Sequence, residues 1–170
     1  MARQDGRDLE DSLVRWPRDL KASHNRQIEE RRAAEARKEA AKRAKQIAAR
    51  APLFQARAQE LEKLSFALDG LMIRPCANEE ELIAEGKLLH HCVATYAKDY
   101  AEGRTAILFI RRVDQPEKPF FTLEFDEKGK KVKQNRGLRN CDRTPEVTAF
   151  ETAWLNHVRC VRTKERTKIA

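Results

Sequence analysis

The sequence predicts an α+β fold: long charged N-terminal helices, then a central helix packed on a small antiparallel β-meander, closed by a C-terminal helix. Three observations carry this reading. Residues 18–50 are rich in Ala, Glu, Lys and Arg and hold neither proline nor glycine, a composition of strong helix formers. Residues 82–100 repeat apolar side chains at helical spacing. Residues 105–135 hold three short apolar runs separated by turn residues, the pattern of an antiparallel meander.

Composition sets the limits. The chain has 170 residues, a formal net charge of +8, 41% apolar residues and 6% aromatic residues, which suits one compact domain with an extension. The division expected is a charged helical extension over 1–70, a compact core over 71–161 and a basic tail over 162–170. The positive balance is compatible with a polyanionic partner such as DNA or RNA. No run of eighteen apolar residues occurs, so a membrane span is not expected. The N-terminus lacks an apolar secretory h-region, which places the chain in the cytoplasm. The four cysteines, at 76, 92, 141 and 160, are then expected as thiols.

In chain order, residues 1–15 are polar, with Leu13, Val14 and Trp16 as anchors. Pro17 opens a helix at its first turn, running to Arg50 as a solvated rod that kinks or ends near Pro52. Its basic residues Arg31, Arg32, Arg37, Lys38, Lys42, Arg43 and Lys45 suit a nucleic-acid backbone, as does Arg136 after the sheet, and the helical ones equally suit a soluble helix, since Glu29, Glu30, Glu35 and Glu39 are interleaved. The same Ala-rich surface suits a protein partner or self-association. Phe54, Leu61, Leu64 and Leu68 mark a second helix ending at Asp69-Gly70, and Leu71–Arg74 a short strand stopped by Pro75.

Asn78, with Glu81 three residues on, starts the central helix, expected to run to about Glu102 with Gly103 as its C-cap. Leu82, Gly86, Leu89, Val93, Tyr96 and Tyr100 share one side, and His90, His91 and Cys92 fall in its middle. Thr105–Arg112, Phe120–Phe125 and Lys130–Asn135 are the meander strands, with a hairpin turn at Asp126–Gly129 where glycine supplies positive φ. Thr144 and Pro145 start the last helix, whose apolar face is Val147, Phe150, Trp154, Val158 and Val161. The tail from Arg162 is read as loose.

Candidate chemistry gathers in three places. Cys92 is a possible nucleophile, but adjacent helical residues diverge by about 100°, so its base must come from another element. Cys92, Cys141, His157 and Cys160 form a weak zinc set, since structural zinc sites usually carry a tight C-x₂₋₄-C pair and none is present. Arg111, Glu124, Gln134, Asn135, Arg136 and Asn140 form a polar set on and after the sheet. It reads either as a buried network built on an Arg111–Glu124 ion pair or as a ligand pocket. No Walker, dinucleotide, HExxH or GxSxG motif occurs, and no cofactor is called for.

EGKLLHHCVATYAKDYAEGRTAILFIRR and PFFTLEFDEKGKKVKQNRGLRNCDRTPEVTAFETAW closely resemble the PcfJ-like proteins of conjugative plasmids, phages and other bacterial mobile elements. The matching positions are Glu85, Gly86, His90, His91, Cys92, Val93 and Tyr96 on the helix. Arg111, Pro119, Thr122 and Glu124 match on the strands, and Gln134, Gly137, Asn140 and Trp154 beyond them. PRDLKASHNRQIEE resembles an upstream family stretch, with Ser23 and Asn25 in place of the usual Ala and Asp. The resemblance covers residues 16–160. It lacks the long N-terminal region of many members, so the chain is read as a compact form or a piece. It implies a link to DNA transfer or processing and singles out His91, Cys92, Arg111, Glu124, Gln134 and Asn140. The leading function is then a nucleic-acid-associated accessory protein of a mobile element. The alternatives are a hydrolase or nuclease with a His/Cys/Glu centre and a non-catalytic interaction module.

Overall fold

A computed structural model describes residues 19–167, with side chains described through residue 160. The expectations for Leu13, Val14, Trp16 and Pro17 lie outside the described residues. The chain divides into two compact units, one ending at Gln46 and one beginning at Ile47.

In the first unit residues 20–46 are helical, and their basic side chains from Arg31 to Lys45 are all exposed. They belong to α1, Leu20–Leu61, which continues through Pro52. The expected end of the helix at the proline is therefore absent. Proline forfeits one helical hydrogen bond, but Phe54, Arg57 and Leu61 beyond it are buried, and that packing holds the segment helical. The helix expected up to Leu68 stops earlier. A 3-10 turn, Glu62–Leu64, leads into β1, Phe66–Leu68, an element the helical spacing concealed. Asp69 and Gly70 have φ of 50° and 78°, the two positive values of a two-residue hairpin, and Leu68 pairs with Leu71.

The second unit is built on one five-stranded antiparallel sheet in the order β1-β2-β3-β4-β5. β2 is Leu71–Pro75, β3 Ala106–Arg112, β4 Phe121–Asp126 and β5 Lys131–Arg136. β3 is central, as its apolar run predicts, and Ala106–Arg111 are buried. In the β4–β5 turn the positive φ falls on Lys130, at 50°, rather than on the glycine. Asp126 Oδ1 accepts from the Lys128 and Gly129 amides at 3.0 and 3.1 Å and sets the turn.

α4, Pro145–Thr167, covers one face of the sheet. Its Trp154 meets Phe125 edge-on at 5.0 Å, and the indole Nε1 donates to Leu64 O at 2.8 Å. The stretch from Arg162 read as a loose tail is helical to Thr167. Thr144 caps this helix, its Oγ1 accepting from the Val147 amide at 3.3 Å.

The opposite face meets α2, Glu79–Leu89. Asn78 Oδ1 accepts from the Glu81 amide at 2.8 Å, the expected cap. Glu81 reaches back to Ala77 N at 2.9 Å, one residue beyond the usual capping box. Burial opposes ionisation of Glu81, but the Arg74 guanidinium and the Ala77 amide outweigh it and hold its pKa below the usual range.

The long central helix is the main correction. α2 ends at Leu89 and His90 is left-handed at φ 53°. His91 is extended at φ −139°, and Cys92–Tyr96 form a 3-10 turn before α3, Ala97–Ala101. Both the His90 and His91 amides donate to Gly86 O. A Cβ on Gly86 would lie 3.0 Å from the His91 carbonyl, so glycine there eases the close approach at the reversal. Histidine is among the residues that tolerate the left-handed region, and β-branched Val93 and Thr95 disfavour continuing the helix. Leu82, Gly86, Leu89, Val93 and Tyr100 are nonetheless buried, because the chain turns back over the same surface. Gly103, at φ 72°, follows α3 as expected.

Candidate functional site

The break after α2 positions the site. It sets His91, Cys92 and Tyr96 across the face of β3 and β4, where they line a cleft of about 40 Å³ with Val93 and Ile107. Thr122, Glu124, Gln134, Arg136 and Asn140 complete the lining. Five of the six residues expected to share a site, His91, Cys92, Glu124, Gln134 and Asn140, are thus brought together. Arg111 is not.

Register explains the separation. Glu124 pairs with Ile107 and Thr122 with Phe109. Cross-strand partners share a face, so Arg111 lies on the same face as Glu124 but four residues along β3. That is about 13 Å at strand rise, and the expected Arg111–Glu124 ion pair does not form. Arg111 instead donates to Glu85 from Nη1 at 3.0 Å and Nη2 at 2.5 Å. Thr122 Oγ1 donates to the same carboxylate at 2.7 Å. Glu85 is 1% exposed and Arg111 2%, so this is a buried bidentate pair clamping α2 to the sheet. Glu85 was legible as a carboxylate between Leu82 and Leu89 on the apolar stripe, where a buried charge demands a partner.

A bulge aims the cleft. The β4–β5 register shifts between Glu124 and Phe125, so that Gln134 opposes Glu124 and Val132 opposes Phe125. Lys133 is the extra residue, and such a residue re-aims its neighbours. Lys133 Nζ consequently reaches Glu124 Oε1 at 3.0 Å while the next residue, Gln134, donates to Oε2 at 2.9 Å. Thr105 Oγ1 donates to Oε1 at 2.9 Å. The hydrogen bond to Glu124 raises the Lys133 pKa. Gln134 Nε2 also lies 3.3 Å from Tyr96 Oη. Lys133 escaped the sequence reading of the site because a bulge has no local signature, while Thr105 and Tyr96 were read only as the start of a strand and as part of the apolar helix side.

His91 Nε2 is buried without a hydrogen-bond partner among the described residues. Burial lowers the His91 pKa; a hydrogen bond to its own backbone and the Glu85 charge pull the other way without prevailing. The ring is therefore biased towards its neutral form. Cys92 is an exposed thiol at the start of its 3-10 turn, which Thr95 Oγ1 ties by donating to Cys92 O at 2.7 Å.

The rim is made by the loop after β5. Arg139 and Asn140 have φ of 53° and 59°, consecutive left-handed residues that are not glycine. Gly137 makes this possible: a Cβ there would meet Cys141 Sγ at 2.8 Å and the Phe121 ring at 2.9 Å. Arg136 pairs with Asp142. Asn135, on the other face, donates to Glu151 of α4 at 2.8 Å.

The zinc set is not assembled. No group of three or more His, Cys, Asp or Glu side chains among the described residues is placed to hold a metal. Cys92, Cys141 and Cys160 are exposed, and His157 packs on Phe66 with ring centroids 4.8 Å apart. No helix among the described residues is long and apolar enough to cross a membrane.

The chain is 31% identical over 118 residues to an uncharacterized protein, Lin1253/Lin1744, of Listeria innocua serovar 6a, covering 68% of this chain and 24% of that protein. The chain thus spans about a quarter of that relative's length. No solved structure matches it. Residues 1–150, a stretch holding the α2 signature, the cleft and Arg111, match the PcfJ-like protein family, and the chain belongs to it.

Proposed function

We propose that the chain is a nucleic-acid-associated accessory protein of a mobile genetic element, working in the cytoplasm. The observation that carries this reading is the exposed basic helix of the first unit. Residues 19–46 hold nine basic and five acidic side chains. Arg31, Lys38, Lys42 and Lys45 are exposed and fall within an arc of about 60° on the helix, so they can meet a row of phosphates together. The overall charge of +8 and the family tie support the same reading.

Phosphate contact has a definite signature. Each neutralised phosphate releases counterions, so four contacts to duplex DNA weaken binding about 10²-fold between about 50 and 200 mM salt. Fluorescence anisotropy with labelled duplex and single-stranded DNA and RNA measures this. Replacing Lys38, Lys42 and Lys45 with Gln is expected to flatten the salt slope by about 0.9 per lost duplex contact. Absence of binding to any of these nucleic acids at low salt would overturn the reading.

One observation favours a second reading, a hydrolase or nuclease: His91, Cys92 and Glu124 line the same cleft. It requires Cys92→Ser or Glu124→Gln to abolish nucleic-acid cleavage without lowering thermal stability. Unchanged turnover in both variants excludes a catalytic role for these two side chains.

A further inference from the structure

We propose that the cleft between the α2 break and β5 receives the base edge of one nucleotide of an unpaired strand, with the rest of that nucleotide lying outside it. This inference rests on the nucleic-acid reading above and gives a second, strand-selective contact to it.

Size makes the first selection. A cleft of about 40 Å³ is far below the roughly 300–1,000 Å³ of pockets that enclose a small molecule. It admits one polar group while the rest of the ligand stays outside, as a polymer does. Chemistry makes the second. Glu124 at the floor already accepts from Thr105, Lys133 and Gln134, so its charge is compensated. The Gln134 amide nitrogen is committed to Glu124 and Tyr96, which fixes the amide orientation and leaves its oxygen as the acceptor. Asn140 brings a second amide on the rim, and side-chain amides are the groups that read base edges. Half-buried Tyr96 supplies a ring on which an unpaired base can stack.

Charge makes the third. Arg136 lines the cleft, and its partner Asp142 is 91% exposed, so a phosphate can compete for the guanidinium in water. Exposed Arg139 precedes Asn140 in the same loop. The strained geometry of Arg139 and Asn140 has an energetic cost, and such strain concentrates at ligand clamps. A duplex presents its base edges only in its grooves and cannot lay a base on Tyr96, so the cleft selects unpaired strands.

The test uses the full chain with labelled oligothymidine and oligouridine, their duplexes, and the free mononucleotides dTMP and UMP. The double variant Arg136→Gln/Asn140→Gly removes the phosphate and base-edge groups, and glycine relieves rather than adds strain at a left-handed position. Its single-strand affinity is expected to fall tenfold or more while duplex affinity stays constant. Equal losses for both, or no loss, overturn the proposal while leaving the basic helix reading standing. Because a variant may perturb the loop, NMR shifts of the Gln134 and Asn140 side-chain amides in the unaltered chain are followed on titration with each ligand. Shifts with dTMP or UMP assign the site to free nucleotides as well as strands, and shifts with oligonucleotides alone assign it to strands. Amides unmoved by every single-stranded ligand overturn the inference. Binding to no nucleic acid or mononucleotide overturns both readings.

Discussion

Removing the Arg111 guanidinium strands a carboxylate inside the protein. In Arg111→Met, Glu85 keeps only the Thr122 hydroxyl at 2.7 Å, in a position 1% exposed. Breaking a buried pair from one side costs about 3–5 kcal/mol, a large share of the roughly 5–15 kcal/mol that separates a folded domain from its unfolded chain. With a urea m-value of about 1.5 kcal/mol/M, the unfolding midpoint falls by about 2–3 M. Removing both charges in Arg111→Met/Glu85→Leu, with Thr122→Val to spare the orphaned hydroxyl, is expected to recover most of that loss, because apolar replacements of buried pairs are often neutral or better. Equilibrium urea unfolding followed by fluorescence of Trp154, which is 0% exposed, measures each midpoint. A loss below about 1 kcal/mol in the single variant, or no recovery in the combined one, would refute the claim that this pair clamps α2 to the sheet.

Other consequences follow from single contacts. Gly137→Ala drives a Cβ into Cys141 Sγ and the Phe121 ring; the overpacking is expected to cost about 1–3 kcal/mol, read as a lower urea midpoint. Thr144→Ala removes the α4 cap and is expected to cost about 1 kcal/mol by the same measurement. The folded pKa of His91 lies below its ordinary value, so the unfolded chain binds more protons as pH falls below about 6.5. Its contribution to stability is complete above that pH and declines towards the folded pKa. The difference in urea midpoint between pH 7 and pH 5 should therefore be smaller in His91→Asn than in the unaltered chain, and an equal difference contradicts the assignment.

The meander was legible because its signals are local. Apolar runs, turn residues and the Thr144-Pro145 helix start act within a few residues, and β3, β4, β5 and α4 follow from them. The β1–β2 hairpin was missed although Asp69-Gly70 announces it, because Phe54, Leu61, Leu64 and Leu68 satisfied a helical period that competed with the turn. The α2 break was missed for a similar reason. Leu82, Leu89, Val93 and Tyr100 keep helical spacing while the backbone reverses at His90, and the glycine that accommodates the reversal, Gly86, sits a turn upstream inside the same helical period.

For the site, the sequence by itself pointed to side chains that the fold then places around one cleft: His91, Cys92, Glu124, Gln134 and Asn140 lie on elements that a meander and its covering helix bring near each other. Only the tertiary structure decided who meets whom. Register placed Arg111 four residues from Glu124 and gave it to Glu85, and the bulge at Lys133 turned two consecutive side chains onto one carboxylate. Both outcomes depend on how strands align across long stretches of chain, where a one-residue shift exchanges the faces. Composition and periodicity contain no such alignment. It is set when packing of the whole sheet against α2 and α4 selects a single register.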